Sequence, residues 1–398
     1  MTENNIKLFT KEMLYDTATA FGVKTDAEIE KAYWLFNIIR KEPLVRLGTA
    51  VTNFALKYHL PVEGLIRTTV FDHFCGGVTA EDTLPIVEKL YSAGVYSILD
   101  YSVENADDEE SFNRAFEKTK FLIEFAAKRK EIPFAVFKPT GLGSFDIYEK
   151  VSEGKELSPR EEKQWNAVKN RYYLLAEAAV ENDVPLMVDA EESWMQKAVD
   201  DLMEELMREY NKKGVYVITT LQMYRKDRLP YLKELFGRLQ RAGSKIGVKF
   251  VRGAYMEKER ERAVELGYPS PICETKELTD KNYNDAIRFA MEHVPDFLIY
   301  AGTHNEESAL LLANLTEEKA LPRNHPHIWF GQLYGMSDHI TFNLAKHGFN
   351  TSKYIPFGPV KDVMPYLIRR AEENTSVAGQ TSRELHLLEL ERKRRKLT

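Results

Sequence analysis

Short runs of β-branched and aromatic residues alternate along this chain with longer stretches in which apolar residues return every three or four positions. Eight short runs stand out: Arg67-Thr-Thr-Val-Phe71, Ser97-Ile-Leu-Asp-Tyr101, Phe134-Ala-Val-Phe-Lys138, Leu186-Met-Val-Asp189, Val215-Tyr-Val-Ile-Thr-Thr220, Gly247-Val-Lys-Phe-Val-Arg252, Phe297-Leu-Ile-Tyr-Ala301 and His327-Ile-Trp-Phe330. A stretch with helical periodicity follows each one, which is the pattern of βα units around a parallel sheet. Eight such units predict a (βα)8 TIM barrel. An open doubly wound sheet is disfavoured because no Gly-x-Gly-x-x-Gly or Gly-x-x-x-x-Gly-Lys-Ser/Thr loop follows the first run. The spacing also predicts helices over 26–40, 43–58 and 160–182, with a polar surface excursion over 149–161. The expected organisation is an N-terminal helical arm (1–60), an α/β barrel (61–385) and a basic C-terminal tail (386–398).

Composition narrows the class. Of 398 residues, 43% are hydrophobic and 29% charged, enough for a large core and incompatible with a disordered chain. A net charge of −6 argues against a nucleic-acid partner, which would require a basic face. Cys75 and Cys273 lie far apart, without Cys or His neighbours, so neither a disulfide scaffold nor a metal site is expected. The N-terminus lacks a signal-like apolar segment, and no apolar run approaches the roughly 18 residues that span a bilayer. The expected location is the cytoplasm.

In a barrel, chemistry collects at the carboxyl ends of the strands. Here those ends carry Lys138, Asp189, Gln222, Lys249, Arg252 and Thr303-His304-Asn305. Any one of them reads equally as a satisfied ion pair or a loop cap. Together they make a basic, polar mouth on an acidic protein, suited to a phosphate or carboxylate ligand. A further helix follows Pro359, with Val360, Met364, Leu367, Ile368 and Ala371 at core-facing spacing. Beside that stripe, Tyr366, Arg369, Arg370 and Glu373 share a second face, which reads either as solvated surface or as a bidentate carboxylate clamp. Pro365 is expected to bend or restart this helix near its first turn. Tyr255 follows a glycine that lets backbone approach a flat ligand, and reads equally as half-buried packing.

The strings Arg67-Thr-Thr-Val-Phe-Asp-His-Phe74, Lys138-Pro-Thr-Gly141, Val188-Asp-Ala-Glu-Glu192, Lys249-Phe-Val-Arg-Gly-Ala-Tyr255, Thr303-His-Asn305 and Tyr366-Leu-Ile-Arg-Arg-Ala-Glu-Glu-Asn374 together resemble the proline dehydrogenase family, over residues 60 to 385. The resemblance implies a distorted (βα)8 barrel holding noncovalent FAD. It also implies oxidation of L-proline to Δ1-pyrroline-5-carboxylate, the first step of proline degradation to glutamate, with electrons passed to a membrane quinone. In this family Arg369 and Arg370 would grip the substrate carboxylate, aided by Lys138. Tyr354, Tyr366, Tyr255 and Leu333 would enclose the pyrrolidine ring, and Glu373 would pair with the arginines. Asp189 matches the family's active-site aspartate. Ala190, Gln222, Arg252, Gly253, Ala254, Lys276, Thr303 and His304 fall where the family contacts FAD. Several bacterial relatives have Arg before Lys in the string that here holds Lys249 and Arg252, so Lys249 takes the place near flavin N5, keeping the charge but not the planar fork.

Two other readings follow from the residues alone. Lys138 or Lys249 could form a Schiff base in a barrel lyase, or the mouth could serve a non-enzymatic anion-binding protein. The Arg392-Lys-Arg-Arg-Lys396 cluster reads as a solvated tail or as a basic patch drawing the protein to an anionic inner-membrane surface. A pyrroline-5-carboxylate dehydrogenase is the implied pathway neighbour, since 398 residues leave no room for that second domain.

Overall fold

The computed structural model describes residues 8–41, 64, 70–102, 108–376 and 380–397. Its strands are β1 (Val95–Tyr101), β2 (Ala135–Phe137), β3 (Leu186–Val188), β4 (Val217–Gln222), β5 (Ile246–Val251), β6 (Phe297–Gly302), β7 (Ile328–Leu333) and β8 (Thr351–Phe357). They form one eight-stranded sheet in the order β1-β8-β7-β6-β5-β4-β3-β2, with parallel pairing and helices between successive strands, which is a (βα)8 TIM barrel.

Seven of the eight expected runs overlap these strands. The exception is the first: Val70 and Phe71 are helical and lead into the Asp72–Phe74 turn, while Arg67 to Thr69 lie outside the described residues. The strand that pairs with β1 is β8, a segment that is not among the eight expected runs; Lys353 and Pro356 interrupt its apolar pattern. All seven of its residues are buried. The expected 43–58 helix also lies outside the described residues.

The chain divides into two compact units. The first comprises residues 1–9 and 105–331, so it holds β2 to β6 and the start of β7. Its helices start where capping chemistry permits. Ser158 closes a capping box with Glu161 ahead of Pro159, and Asp108, Thr275 and Asn305 each accept a hydrogen bond from the first turn of their helices. Val248, Phe250, Ile299 and Phe330, fully buried, fill the strand core.

The second unit comprises residues 10–104 and 332–398. Here β1 and β8 pair over seven positions, and the arm helix Asp26–Ile39 buries Ile29, Ala32, Leu35, Phe36 and Ile39 in a cluster with Phe71, Phe74, Val363, Leu367, Leu387 and Leu388. The last two belong to a helix, Gln380–Arg394, which runs through the boundary expected at 385. Its arginines are engaged within the chain. Arg392 bonds Glu30 at 2.6 Å and stacks on the Tyr33 ring, and Arg395 reaches Glu391, Asp26 and the carbonyls of Phe21 and Lys24. Arg395→Ala is therefore expected to cost about 2 kcal/mol, because Glu391 is wholly buried and two carbonyls lose a charged donor. Urea unfolding checks this; an unchanged midpoint would mean that the Arg395 contacts add nothing to the docking of the helix.

Candidate active site

The carboxyl ends of the strands in the first unit bring two groups of polar residues together. Asp189 extends the β3 ladder, its N–H donating to the Phe137 carbonyl at 3.0 Å. Lys249, on β5 opposite Thr220, stretches across to it, with Nζ 2.5 Å from Asp189 Oδ1. Lys249 is only 6% exposed, so this is a buried ion pair. Removing either partner would leave a charge in a poorly solvated site. Gln222, also buried, donates from Nε2 to the Ala190 carbonyl at 2.9 Å. The four expected residues Asp189, Ala190, Gln222 and Lys249 thus form one assembly across β3, β4 and β5. An ion-paired Lys249 is a poor Schiff-base nucleophile.

The second group centres on Arg252. Its guanidinium donates to Asp280 (2.7 Å), Thr303 Oγ1 (2.7 Å) and Ser308 Oγ (2.9 Å), and lies 4.6 Å from the Tyr283 ring centroid. Lys276, in the first turn of Lys276–Glu292, donates to the other Asp280 oxygen at 2.6 Å. Burial would raise the Asp280 carboxyl, but Lys276 and Arg252 outweigh it and hold it below the usual carboxylate range. Thr303 also accepts from the Asn305 N–H, fixing the turn on which half-buried His304 sits. Gly253 has φ +128°, and a Cβ there would come within 2.6 Å of the Tyr224 ring, so only glycine lets the backbone lie on that ring. Ala254 is exposed, and half-buried Tyr255 precedes the Met256–Leu266 helix.

Lys138 caps the short turn Pro139–Gly141. That turn is held by Glu191, a residue to which the sequence reading assigned no role. Glu191 accepts from Thr140 N–H at 2.9 Å and Thr140 Oγ1 at 2.7 Å while its own N–H donates to Gln196. Burial pushes its carboxyl up to about 7, even though the Thr140 hydrogen bonds and Lys138 pull the other way. The doubled glutamate after a strand was the available signal. Both glutamates are buried, but they take different partners: Glu192 pairs with Lys258.

In the second unit, the helix Val360–Ser376 carries Tyr366, Arg369 and Arg370. Of the expected bend or restart at Pro365, the restart does not occur: the helix runs through it in one piece. The Arg370 guanidinium lies 5.3 Å from the Tyr366 ring centroid, with both residues buried and Arg369 half-buried. Glu373 falls on this helix, and its side chain lies outside the described residues. Leu333 ends β7 beside Tyr334, whose N–H donates to the Tyr354 carbonyl at 2.9 Å, so these two expected ring contacts are tied together through backbone.

The family model for proline dehydrogenase matches residues 83–383, which span the strand ends of the first unit and the arginine helix of the second. The chain belongs to the proline dehydrogenase family. It is accordingly an oxidoreductase, with proline oxidation as its chemistry. Similar curated proteins include the carbapenem antibiotics biosynthesis protein CarD of Pectobacterium carotovorum subsp. carotovorum, 36% identical over 88% of this chain and 91% of that one. Mitochondrial proline dehydrogenase 1 of Arabidopsis thaliana is 31% identical over 96% of this chain and 86% of that one. Among solved structures, proline utilization A from Bdellovibrio bacteriovorus, inactivated by N-propargylglycine, matches with a TM-score of 0.70 at 20% identity, which supports the fold. That match covers 95% of this chain and 40% of the larger protein. Among the described residues no helix is long and apolar enough to cross a membrane, and no cluster of potential metal ligands occurs.

Glu191 gives a pH prediction. Its carboxyl titrates near 4.5 when unfolded and about 7 when folded. Between those values the folded chain keeps a proton that the unfolded chain has released, so stability from this site declines as pH rises through the window. The full effect is about 3 kcal/mol. Glu191→Gln should gain about that much relative to wild type between pH 4.5 and 7, measured by urea unfolding at both ends. A pH-independent difference would show that Glu191 titrates as an ordinary carboxylate.

Proposed function

We propose that this proline dehydrogenase binds FAD noncovalently, oxidises L-proline to Δ1-pyrroline-5-carboxylate by hydride transfer and passes the electrons to a membrane quinone. The observation that carries the reading is the adjacent pair Arg369 and Arg370 on one helix with Tyr366, Arg370 stacked against its ring, inside the family match. Two neighbouring guanidinium groups suit a carboxylate that must be fixed in orientation, which a single ammonium cannot do.

The residues of the first unit fit FAD chemically. Lys249, Arg252 and Lys276 place positive charge on or just after β5 and at the start of the second helix that follows it, as a pyrophosphate and a reduced anionic flavin require. Gly253 keeps a side chain off the neighbouring backbone surface. Ala190, Gln222, Arg252, Gly253, Ala254, Lys276, Thr303 and His304 would hold the cofactor, whose N5 accepts the hydride. Asp189 orients Lys249 and balances its charge. Arg369 and Arg370 hold the proline carboxylate with Lys138, and Glu373 pairs with the arginines. Tyr255, Tyr354, Tyr366 and Leu333 enclose the ring and exclude water. The substrate amine must lose its proton before hydride leaves C5, so the rate rises with pH.

The product is consumed by a pyrroline-5-carboxylate dehydrogenase. The quinone acceptor implies work at a membrane surface, with the protein held peripherally. In the terminal basic cluster Lys393, Arg394 and Lys396 are the exposed members, whereas Arg392 and Arg395 are committed to arm contacts.

Replacing Arg369 or Arg370 with Met should raise KM for L-proline roughly 10- to 100-fold, the loss of a charged hydrogen bond, while flavin content stays at the wild-type level. Loss of flavin with unchanged proline affinity in the residual holoenzyme would contradict the assignment.

A further inference from the structure

The segment from Leu333 to Asp338 is held at nearly every residue by groups distant in the chain. His73 shares a hydrogen bond at 3.1 Å between its Nε2 and the Gly335 carbonyl. Lys353, completely buried on β8, donates to the Met336 carbonyl at 2.5 Å and to Asp338 Oδ1 at 2.8 Å. Glu384, on the C-terminal helix, accepts from the Ser337 N–H at 2.8 Å, and Lys24, from the arm, lies 3.3 Å from Asp338 Oδ2.

The backbone so held is strained. Gly335 has φ +78° and a Cβ there would meet the His73 carbonyl at 2.4 Å; Ser337, which is not glycine, has φ 51°. A left-handed serine persists only where its surroundings over-determine it, and such residues gather at functional sites. Buried ion pairs contribute little net stability, since desolvation offsets most of the attraction. Two lysines, an aspartate and a glutamate around one short turn are thus poorly explained as a stabilising device. They are well explained as a way to fix geometry. Three of the groups, Lys24, His73 and Glu384, lie outside the residues 83–383 matched by the family model.

We infer that the N-terminal arm and the C-terminal helix act as positioning elements for the substrate pocket, with Lys24, His73, Lys353 and Glu384 clamping the turn after β7 so that Leu333 and Tyr354 present a rigid wall to a five-membered ring. The inference rests on the proposed role of Leu333 and Tyr354 as ring contacts. The wall is fixed on both sides: Leu333 begins the clamped turn, and Tyr354 follows Lys353 on β8 while its carbonyl accepts from Tyr334 N–H. None of the clamping side chains takes part in hydride transfer. Their effect falls on which ring fits, and so on KM and ring-size selectivity rather than on turnover.

The full-length flavoprotein is assayed with a dye acceptor on L-proline and on its six-membered homologue L-pipecolate, as wild type, Lys24→Met, Lys24→Arg, Glu384→Ala and Glu384→Gln. Lys24→Met and Glu384→Ala should each raise KM for L-proline about tenfold with kcat within about twofold, and lower the preference for proline over pipecolate about fivefold or more. Lys24→Arg and Glu384→Gln, which keep the donor and the acceptor, should restore most of both. Lys24 is the less buried anchor, so its variant reads the same effect should Glu384→Ala not fold. Unchanged KM and selectivity in flavin-loaded variants would overturn the inference. So would kcat and flavin content falling together with selectivity unaltered, which marks general destabilisation. A wild-type protein that does not oxidise L-proline would instead overturn the function on which the inference rests.

Discussion

Lys249 and Asp189 face each other across the strand ends of the first unit, and much of the site's organisation follows from that buried pair. Neither charge tolerates the loss of its partner in a setting where Lys249 is almost wholly excluded from water. The pair therefore ties the ends of β3 and β5, whose backbones are each laddered to β4. Gln222 of β4, between them, completes the join by bonding Ala190. A positive charge anchored in this way can face a ligand without reorganising, which is the condition for electrostatic stabilisation of charge that develops during a reaction.

Other acidic side chains hold segments within each unit. Asp280 gathers Arg252 and Lys276, Glu191 holds the turn behind Lys138, and Asp338 gathers Lys353 and Lys24. In each case an acidic side chain that is not itself an expected ligand contact holds a residue or a segment that is. Supporting residues of this kind decide how tightly a site is held. Two such contacts come from outside residues 83–383: Lys24 of the arm at Asp338 and Glu384 of the last helix at Ser337.

The barrel was legible in the sequence because most of its strands are short runs rich in β-branched and aromatic residues, each followed by a stretch of helical periodicity. Two strand assignments failed for physical reasons. Arg67-Thr-Thr-Val-Phe71 has strand-like composition, but Val70 and Phe71 bury themselves as a helical turn against Phe74 and the arm cluster. The β8 segment was not among the expected runs, and the partners that let Lys353 be buried in it, Asp338 and the Met336 carbonyl, lie on another segment. At the site, the charged strand ends and the arginine pair were readable from position alone. Glu191 was not, because nothing in a linear string distinguishes the glutamate that accepts from Thr140 from its equally buried neighbour, which pairs with Lys258. Nor was the docked C-terminal helix, whose arginines look like a basic tail until Glu30, Asp26 and Glu391 are placed beside them.

The most direct measurement is a visible absorption spectrum of the purified protein before and after anaerobic addition of L-proline. The account predicts a flavin band that bleaches on addition of the substrate and returns when an electron acceptor is supplied, because the strand-end cations hold a reducible cofactor and the arginine pair a carboxylate substrate. A protein that remains colourless and unreactive after reconstitution with FAD would contradict it.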